Sequence, residues 1–177
     1  MKKLLTLLLI ICATVMEAAL MEPKGDLQRE SFGYFNLGLK CPIMIPMPSL
    51  GFGYRLQNER HGFDVSVQAS TWLIISIVSV MPMYQYYRKP NLDKEYYLGT
   101  GIDFQLMVSP FGEDSTRLFF TPVLAFGKKY RNDSGANRFF QFEIGPVSFA
   151  KGHFIVSGGS WEILPYPIVT FRYGMGF

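Results

Sequence analysis

Cysteine, charge and long apolar runs are all scarce in this sequence. It has two cysteines, Cys12 and Cys41, so a framework of several disulfides is excluded. Charged residues make up 18% of the chain, the formal net charge is +3, and no basic run provides a nucleic-acid-binding surface. Beyond the N-terminal segment, the most apolar stretch is residues 72–83. It contains a proline and is shorter than the roughly 20 residues of a transmembrane helix.

Aromatic residues and glycine are plentiful by contrast. Aromatics form 16% of the chain, hydrophobic residues form 49%, and there are 17 glycines, many of them beside aromatics. This composition excludes a disordered protein, and 177 residues are enough for one domain. A barrel that faces lipid on one side and a crowded lumen on the other uses such a mixture. We expect no cofactor and no metal site.

Residues 1–19 have the pattern of a secretory signal peptide. Lys2 and Lys3 precede an apolar segment at residues 4–15, and Ala18 and Ala19 offer small residues for cleavage. The alternative is an uncleaved N-terminal anchor, although the apolar segment is short for one. The mature domain would then be residues 20–177. Cys41 would remain as a single thiol, either free or paired with another chain.

Alternation of apolar and polar residues is the main structural signal in the rest of the chain. It predicts strands with two different faces. In the clearest segment, Leu50, Phe52, Tyr54 and Leu56 alternate with Gly51, Gly53, Arg55 and Gln57. Similar segments cover residues 63–70, 98–106, 140–145 and 169–177, and weaker ones cover about 31–40, 117–130 and a stretch ending at Arg88. Pro122 lies inside one of them and predicts a bulge or local distortion.

The segments between these strands are of two kinds. Residues 57–62, 89–94 and 131–135 are polar turns, which we expect on the periplasmic side. Residues 41–48, 71–78, 109–115 and 151–164 are predicted loops on the opposite side. The second of these is unusually apolar, which indicates either strand continuing past the membrane or a contact surface.

The orientation of the apolar face separates a membrane barrel from a soluble one. The opposite face is rich in Gly, Ser, Gln and charged residues, which suits the lumen of a narrow barrel. Apolar or aromatic residues also occupy every second position of the last strand: Val169, Phe171, Tyr173, Met175 and Phe177. This pattern resembles the terminal targeting signal of outer-membrane barrel proteins.

Together these features resemble the small eight-stranded outer-membrane barrels, the class of the OmpA membrane domain and OmpW. The resemblance implies an all-β, antiparallel, up-and-down transmembrane barrel after the signal peptide. It also implies contact with outer-membrane lipid, recognition of the last strand by the barrel-insertion machinery, and a structural or surface-interaction role.

Charged residues on the polar face predict a network inside the barrel, made of Arg55, Asp64, Asp103, Glu143 and Arg172. Arg55 and Asp64 stand at equal distances from the first turn, so they can form a cross-strand pair. Charges away from water persist when they are paired. A charge network that closes the barrel is therefore favoured over a catalytic or ion-conducting site, and a porin role is disfavoured.

Two other functions remain as alternatives. A lipid-modifying barrel enzyme needs a nucleophile, a base and an orienting group, and the last loop supplies His153, Ser157, Ser160 and Glu162. A soluble lipocalin-like binder would place the apolar face inside. The Gly-x-Trp pattern at residues 159–161 resembles that family, although lipocalins carry it on their first strand.

Tyrosines cluster near the predicted strand ends. An aromatic girdle at the membrane interface would use such residues, although tyrosine also has an ordinary preference for strands. The expected members of the girdle are Tyr84, Tyr86, Tyr87, Tyr96, Tyr97, Tyr130 and Tyr173.

Overall fold

The computed structural model describes residues 29–42, 45–72, 75–89, 94–108, 116–132, 135–151, 161–165 and 167–177. Across these ranges, no helix is long and apolar enough to cross a membrane. The strands are β1 (Arg29–Pro42), β2 (Met47–Asn58), β3 (His61–Trp72), β4 (Ile75–Tyr87), β5 (Lys94–Val108), β6 (Thr116–Arg131), β7 (Asn137–Gly145), β8 (Ser148–Lys151), β9 (Trp161–Leu164) and β10 (Ile168–Gly176). The predicted signal peptide lies outside the described residues.

These strands form a closed antiparallel barrel with eight crossings. Each of β1 to β6 pairs with the next, and β1 also pairs with β10, which pairs with β7. β7 and β8 lie in succession along β6, and β9 and β10 continue one another beside them. The predicted all-β, eight-stranded fold is confirmed.

The irregularity expected at Pro122 is a change of pairing partner on one side of β6, from β8 to β7. β6 pairs with β5 without a break, and Pro122 stands opposite Ile102. On its other side, β6 pairs with β8 up to Phe120 and with β7 from Leu124 onward. Proline has no N–H to give to a ladder, so Pro122 fits where the pairing passes from β8 to β7.

Strands extend into three of the four predicted loops, whereas the bounds of β5 and β6 agree with the predicted loop at residues 109–115. Trp72 pairs with Ile75, so only residues 73–74 separate β3 from β4. The expected loop over residues 71–78 is wrong, and the alternative of strand continuing through this apolar stretch is confirmed. β8 and β9 likewise extend into the loop predicted at residues 151–164. Backbone hydrogen bonds form whatever the polarity of the side chains. The end of the apolar and polar alternation therefore does not mark the end of a strand.

Apolar side chains lie on the outside of the barrel and polar ones on the inside, which is the reverse of a soluble protein. On β2, Leu50 and Phe52 are 52% and 62% exposed on the outside, while Ser49 and Arg55 are buried inside. The other long strands repeat this pattern, and polar side chains predominate among the buried ones. The lipocalin-like orientation, with the apolar face inside, is therefore wrong.

Candidate functional site

Arg55 and Asp64 form an ion pair in the lumen. The β2–β3 register sets them directly opposite one another. Arg55 Nε donates to Asp64 Oδ2 at 2.7 Å, and neither side chain is exposed to solvent. Tyr34 Oη donates to the other carboxylate oxygen at 2.8 Å. The carboxylate is thus bonded through both oxygens, which offsets part of the cost of burying its charge.

Three aromatic rings surround the Arg55 guanidinium. Its Cζ lies 4.0 Å from the centroid of the Phe139 ring, 4.9 Å from that of Tyr97 and 5.6 Å from that of Tyr34. Cations at such distances are attracted by the ring quadrupole, more strongly where water is excluded. The rings therefore add to the stabilisation that Asp64 provides.

Each of these three rings lies over a glycine of an adjacent strand. A Cβ at Gly53 would meet the Tyr34 ring at 2.4 Å, and one at Gly127 would meet the Tyr97 ring at 2.1 Å. A Cβ at Gly174 would lie 2.0 Å from the Phe139 ring. A narrow lumen therefore holds these three rings only where the facing residue of the adjacent strand has no side chain.

Arg172 and Glu143 form a second buried ion pair. Arg172 Nη1 also donates to Ser66 Oγ at 2.9 Å. Gln141 connects this pair to the first, because its Oε1 accepts from Arg55 Nη2 at 3.1 Å and its Nε2 donates to Glu143 Oε1 at 2.6 Å. Four of the five predicted lumen charges therefore belong to one hydrogen-bonded network.

Asp103, the fifth predicted charge, pairs with Lys40, which sequence reasoning missed. Lys40 Nζ lies 2.6 Å from Asp103 Oδ2, and both side chains are buried. Gln105 Nε2 donates to the same oxygen at 2.8 Å. The signal was present in the sequence, because Lys40 lies on the same face of β1 as Asn36.

A third charged cluster at the turn end of the lumen was also missed. Lys129 Nζ lies 2.7 Å from Glu30 Oε2 and 2.9 Å from Glu95 Oε2, and it donates to Gln57 Oε1 at 2.6 Å. Arg131 Nη2 donates to Glu30 Oε1 at 2.9 Å. Glu95 and Lys129 stand directly opposite across β5 and β6, the same relation that identified Arg55 and Asp64 in the sequence. The lumen thus holds layered ion pairs that join strands across the barrel.

The predicted aromatic girdle divides between the two faces. Tyr84, Tyr86 and Tyr96 are exposed on the outer surface near the turns, but Tyr87 and Tyr97 are buried in the lumen. Including these last two was wrong, because consecutive residues of a strand point to opposite faces. On the outer surface, Tyr130 and Tyr173 flank Phe140, with ring centroids 6.1 Å and 4.8 Å away.

The structure describes the residues of the predicted targeting signal, but not the side chains of the candidate catalytic residues. The side chains of Val169, Phe171, Tyr173, Met175 and Phe177 alternate with the lumen-facing Thr170 and Arg172. β10 closes the barrel between β1 and β7, and the backbone N–H of Phe177 donates to the carbonyl of Gly33 at 3.0 Å. The candidate catalytic residues His153, Ser157 and Ser160, and the side chain of Glu162, lie outside the described part of the chain.

The solved structures that share this fold include two bacterial outer-membrane barrels. Neisserial surface protein A (NspA) matches over 84% of this chain and 95% of its own, with a TM-score of 0.60 and 9% identity. The N-terminal β-barrel domain of Pseudomonas aeruginosa OprF matches over 85% of this chain and 100% of its own, with a TM-score of 0.50 and 13% identity. No protein-family model and no curated protein matches the chain. The likeness is one of fold, a closed eight-stranded antiparallel barrel.

Proposed function

We propose that the mature chain is a lipid-exposed barrel of the outer membrane with a structural or surface-interaction role. The observation that carries this proposal is the reversed arrangement of side chains. Large apolar residues cover the outer surface, and ion pairs and amides fill the interior. A water-soluble monomer rarely exposes so continuous an apolar surface, whereas a bilayer stabilises it.

The geometry of the strands supports the same proposal. β2 to β6 are 12 to 16 residues long, and about 9–11 tilted residues suffice to cross the hydrocarbon core. Closure of the barrel satisfies the backbone hydrogen bonds that lipid cannot. The outward tyrosines near the turns have the position of an interfacial girdle.

The contents of the lumen favour a structural role over transport. Arg55, Arg172 and their partners occupy the interior and bond to one another. An eight-stranded barrel has an interior just wide enough for side chains. The charge network then holds opposite walls of the barrel together, and partners are met through the outer surface and the loops.

We further propose that residues 1–19 are removed on export and that the insertion machinery reads the last strand. The outward alternation that ends at Phe177 supports the second part, because it gives a regular apolar face to the strand that closes the barrel. The mass of the mature protein tests the first part. A chain that retains residues 1–19 would contradict it.

Membrane fractionation combined with heat-modifiability on a gel tests the location. We expect the full chain in the outer-membrane fraction, with a mobility shift on boiling. Deletion of Phe177 should reduce the amount inserted, whereas Phe52→Ala, which removes another outward-facing phenylalanine from β2, should insert normally. A soluble periplasmic protein without a heat shift would overturn the proposal.

A further inference from the structure

A groove with a volume of about 610 Å³ runs over the outer surface of β6, β7, β10 and β1. This size lies within the range of small-molecule sites, roughly 300–1,000 Å³. The strand registers place its lining residues in two rows across the four strands. The first row is Lys128, Phe140, Tyr173 and Leu37, and the second is Phe126, Phe142, Phe171 and Leu39.

The two rows differ in polarity along the barrel. The second row, farther from the polar turns, is wholly apolar. The first contains the Lys128 ammonium, which lies 5.5 Å from the centroid of the Tyr96 ring, and the Tyr173 hydroxyl. One row closer to the turns, Arg138 Nη1 donates to that hydroxyl at 3.1 Å. The groove thus changes from apolar to cationic toward the turn end.

Neither cation has an acidic partner among the described residues. The ion pairs in that part of the chain join Lys40, Arg55, Lys129, Arg131 and Arg172 to carboxylates that belong to the lumen clusters. Lys128 and Arg138 instead lie on the outer face, next to aromatic rings of the interfacial girdle. In a membrane, this level of the surface faces the lipid headgroups.

We propose that this groove binds one phospholipid with an anionic headgroup, of the phosphatidylglycerol type. One acyl chain lies against the apolar row of Phe126, Phe142 and Phe171, and the phosphate accepts hydrogen bonds from Lys128 and Arg138. Charge complementarity selects this occupant, because two cations at the turn end of the groove, without an acidic partner among the described residues, favour a net negative charge over a zwitterionic headgroup. The inference rests on the proposed membrane location.

Native mass spectrometry of the folded full-length mature barrel in neutral detergent tests this site. The probes are palmitoyl-oleoyl phosphatidylglycerol and the phosphatidylcholine with the same acyl chains. We expect preferential retention of phosphatidylglycerol, weakened about fivefold for each cation removed. The double variant Lys128→Gln/Arg138→Gln should lose most of the preference, and Leu37→Trp, which fills the groove, should reduce binding of both lipids.

The matched control is Arg60→Gln/Arg88→Gln, which removes two exposed cations at the same end of the barrel but away from the groove. The inference is overturned if this control weakens binding as much as the groove variant does, if phosphatidylcholine binds equally well, or if Leu37→Trp has no effect. It is also overturned if a second copy of the chain occupies this face and Leu37→Trp converts a dimer to a monomer. A heat shift in every variant confirms folding, so failure here is distinct from failure to enter the outer membrane.

Discussion

Asp64→Ala should destabilise the barrel by about 3–4 kcal/mol. Arg55 and Asp64 are both fully buried at an Nε to Oδ2 distance of 2.7 Å, and removal of one member of a buried pair costs about 3–5 kcal/mol. The Tyr34 hydroxyl loses its acceptor as well, which costs roughly 1–3 kcal/mol more. The aromatic rings around Arg55 and its hydrogen bond to Gln141 remain and offset part of the loss.

The double variant Arg55→Met/Asp64→Leu tests the cause of that loss. With neither charge present, no buried cation lacks a partner, and apolar replacement of a whole buried pair is often nearly neutral. We therefore expect the double variant to be within about 2 kcal/mol of the wild type, although it contains two substitutions.

Urea unfolding in detergent micelles measures both variants, with the heat-shifted gel band as the readout of folded barrel. Arg131→Gln is the control, because Arg131 bonds to Glu30 at the partly exposed turn end and such pairs contribute at most about 1 kcal/mol. The reasoning is refuted if Asp64→Ala costs less than 1 kcal/mol. It is equally refuted if the double variant loses as much stability as Asp64→Ala.

Three further perturbations follow from the structure. Gly174→Ala places a methyl group against the Phe139 ring and should cost about 1–3 kcal/mol in the same urea assay; Phe139→Leu in that background should recover part of the loss, and independent effects would contradict the contact. Glu59 in the β2–β3 turn has a φ of 51°, so Glu59→Gly should raise stability by up to about 1 kcal/mol, and a decrease in the urea midpoint would argue against strain there. Burial raises the pKa of Glu30, but hydrogen bonds from Lys129 and Arg131 outweigh burial and lower this pKa to about 2. Glu30 lies at the start of β1, outside the roughly 10 residues that span the bilayer core. Its stabilisation should be complete above the usual pKa of 4.5 and be lost as the pH falls toward 2, and a Glu30→Gln variant with the same acid loss as the wild type would exclude this origin.

The sequence alone determined the faces of the clearly alternating strands and the number of crossings. Side chains of a strand alternate with a period of two whatever surrounds it, so the partition of β2 into Leu50 and Phe52 on one side and Arg55 on the other was readable. The relation of Arg55 to Asp64 was readable too, because two residues equally distant from a tight turn stand opposite one another.

Strand ends and pairings across the lumen were decided by the tertiary structure. The apolar residues near Trp72 obscured the alternation, yet the ladder continues to the Trp72–Ile75 pair because backbone bonding does not depend on side-chain polarity. Lys40 meets Asp103, and Gln141 meets Arg55, between strands that are not neighbours. Such contacts depend on the stagger that closes the barrel, which no local pattern encodes.

The filling of the lumen and the groove on the outer surface arise only on closure. The composition of the polar face already indicated that it lies inside, but not which large side chains fit together within eight strands. Three aromatic rings enter the lumen because Gly53, Gly127 and Gly174 leave space for them. The groove brings Leu37 beside Tyr173 because β1 and β10, at opposite ends of the described chain, become neighbours when the sheet closes on itself.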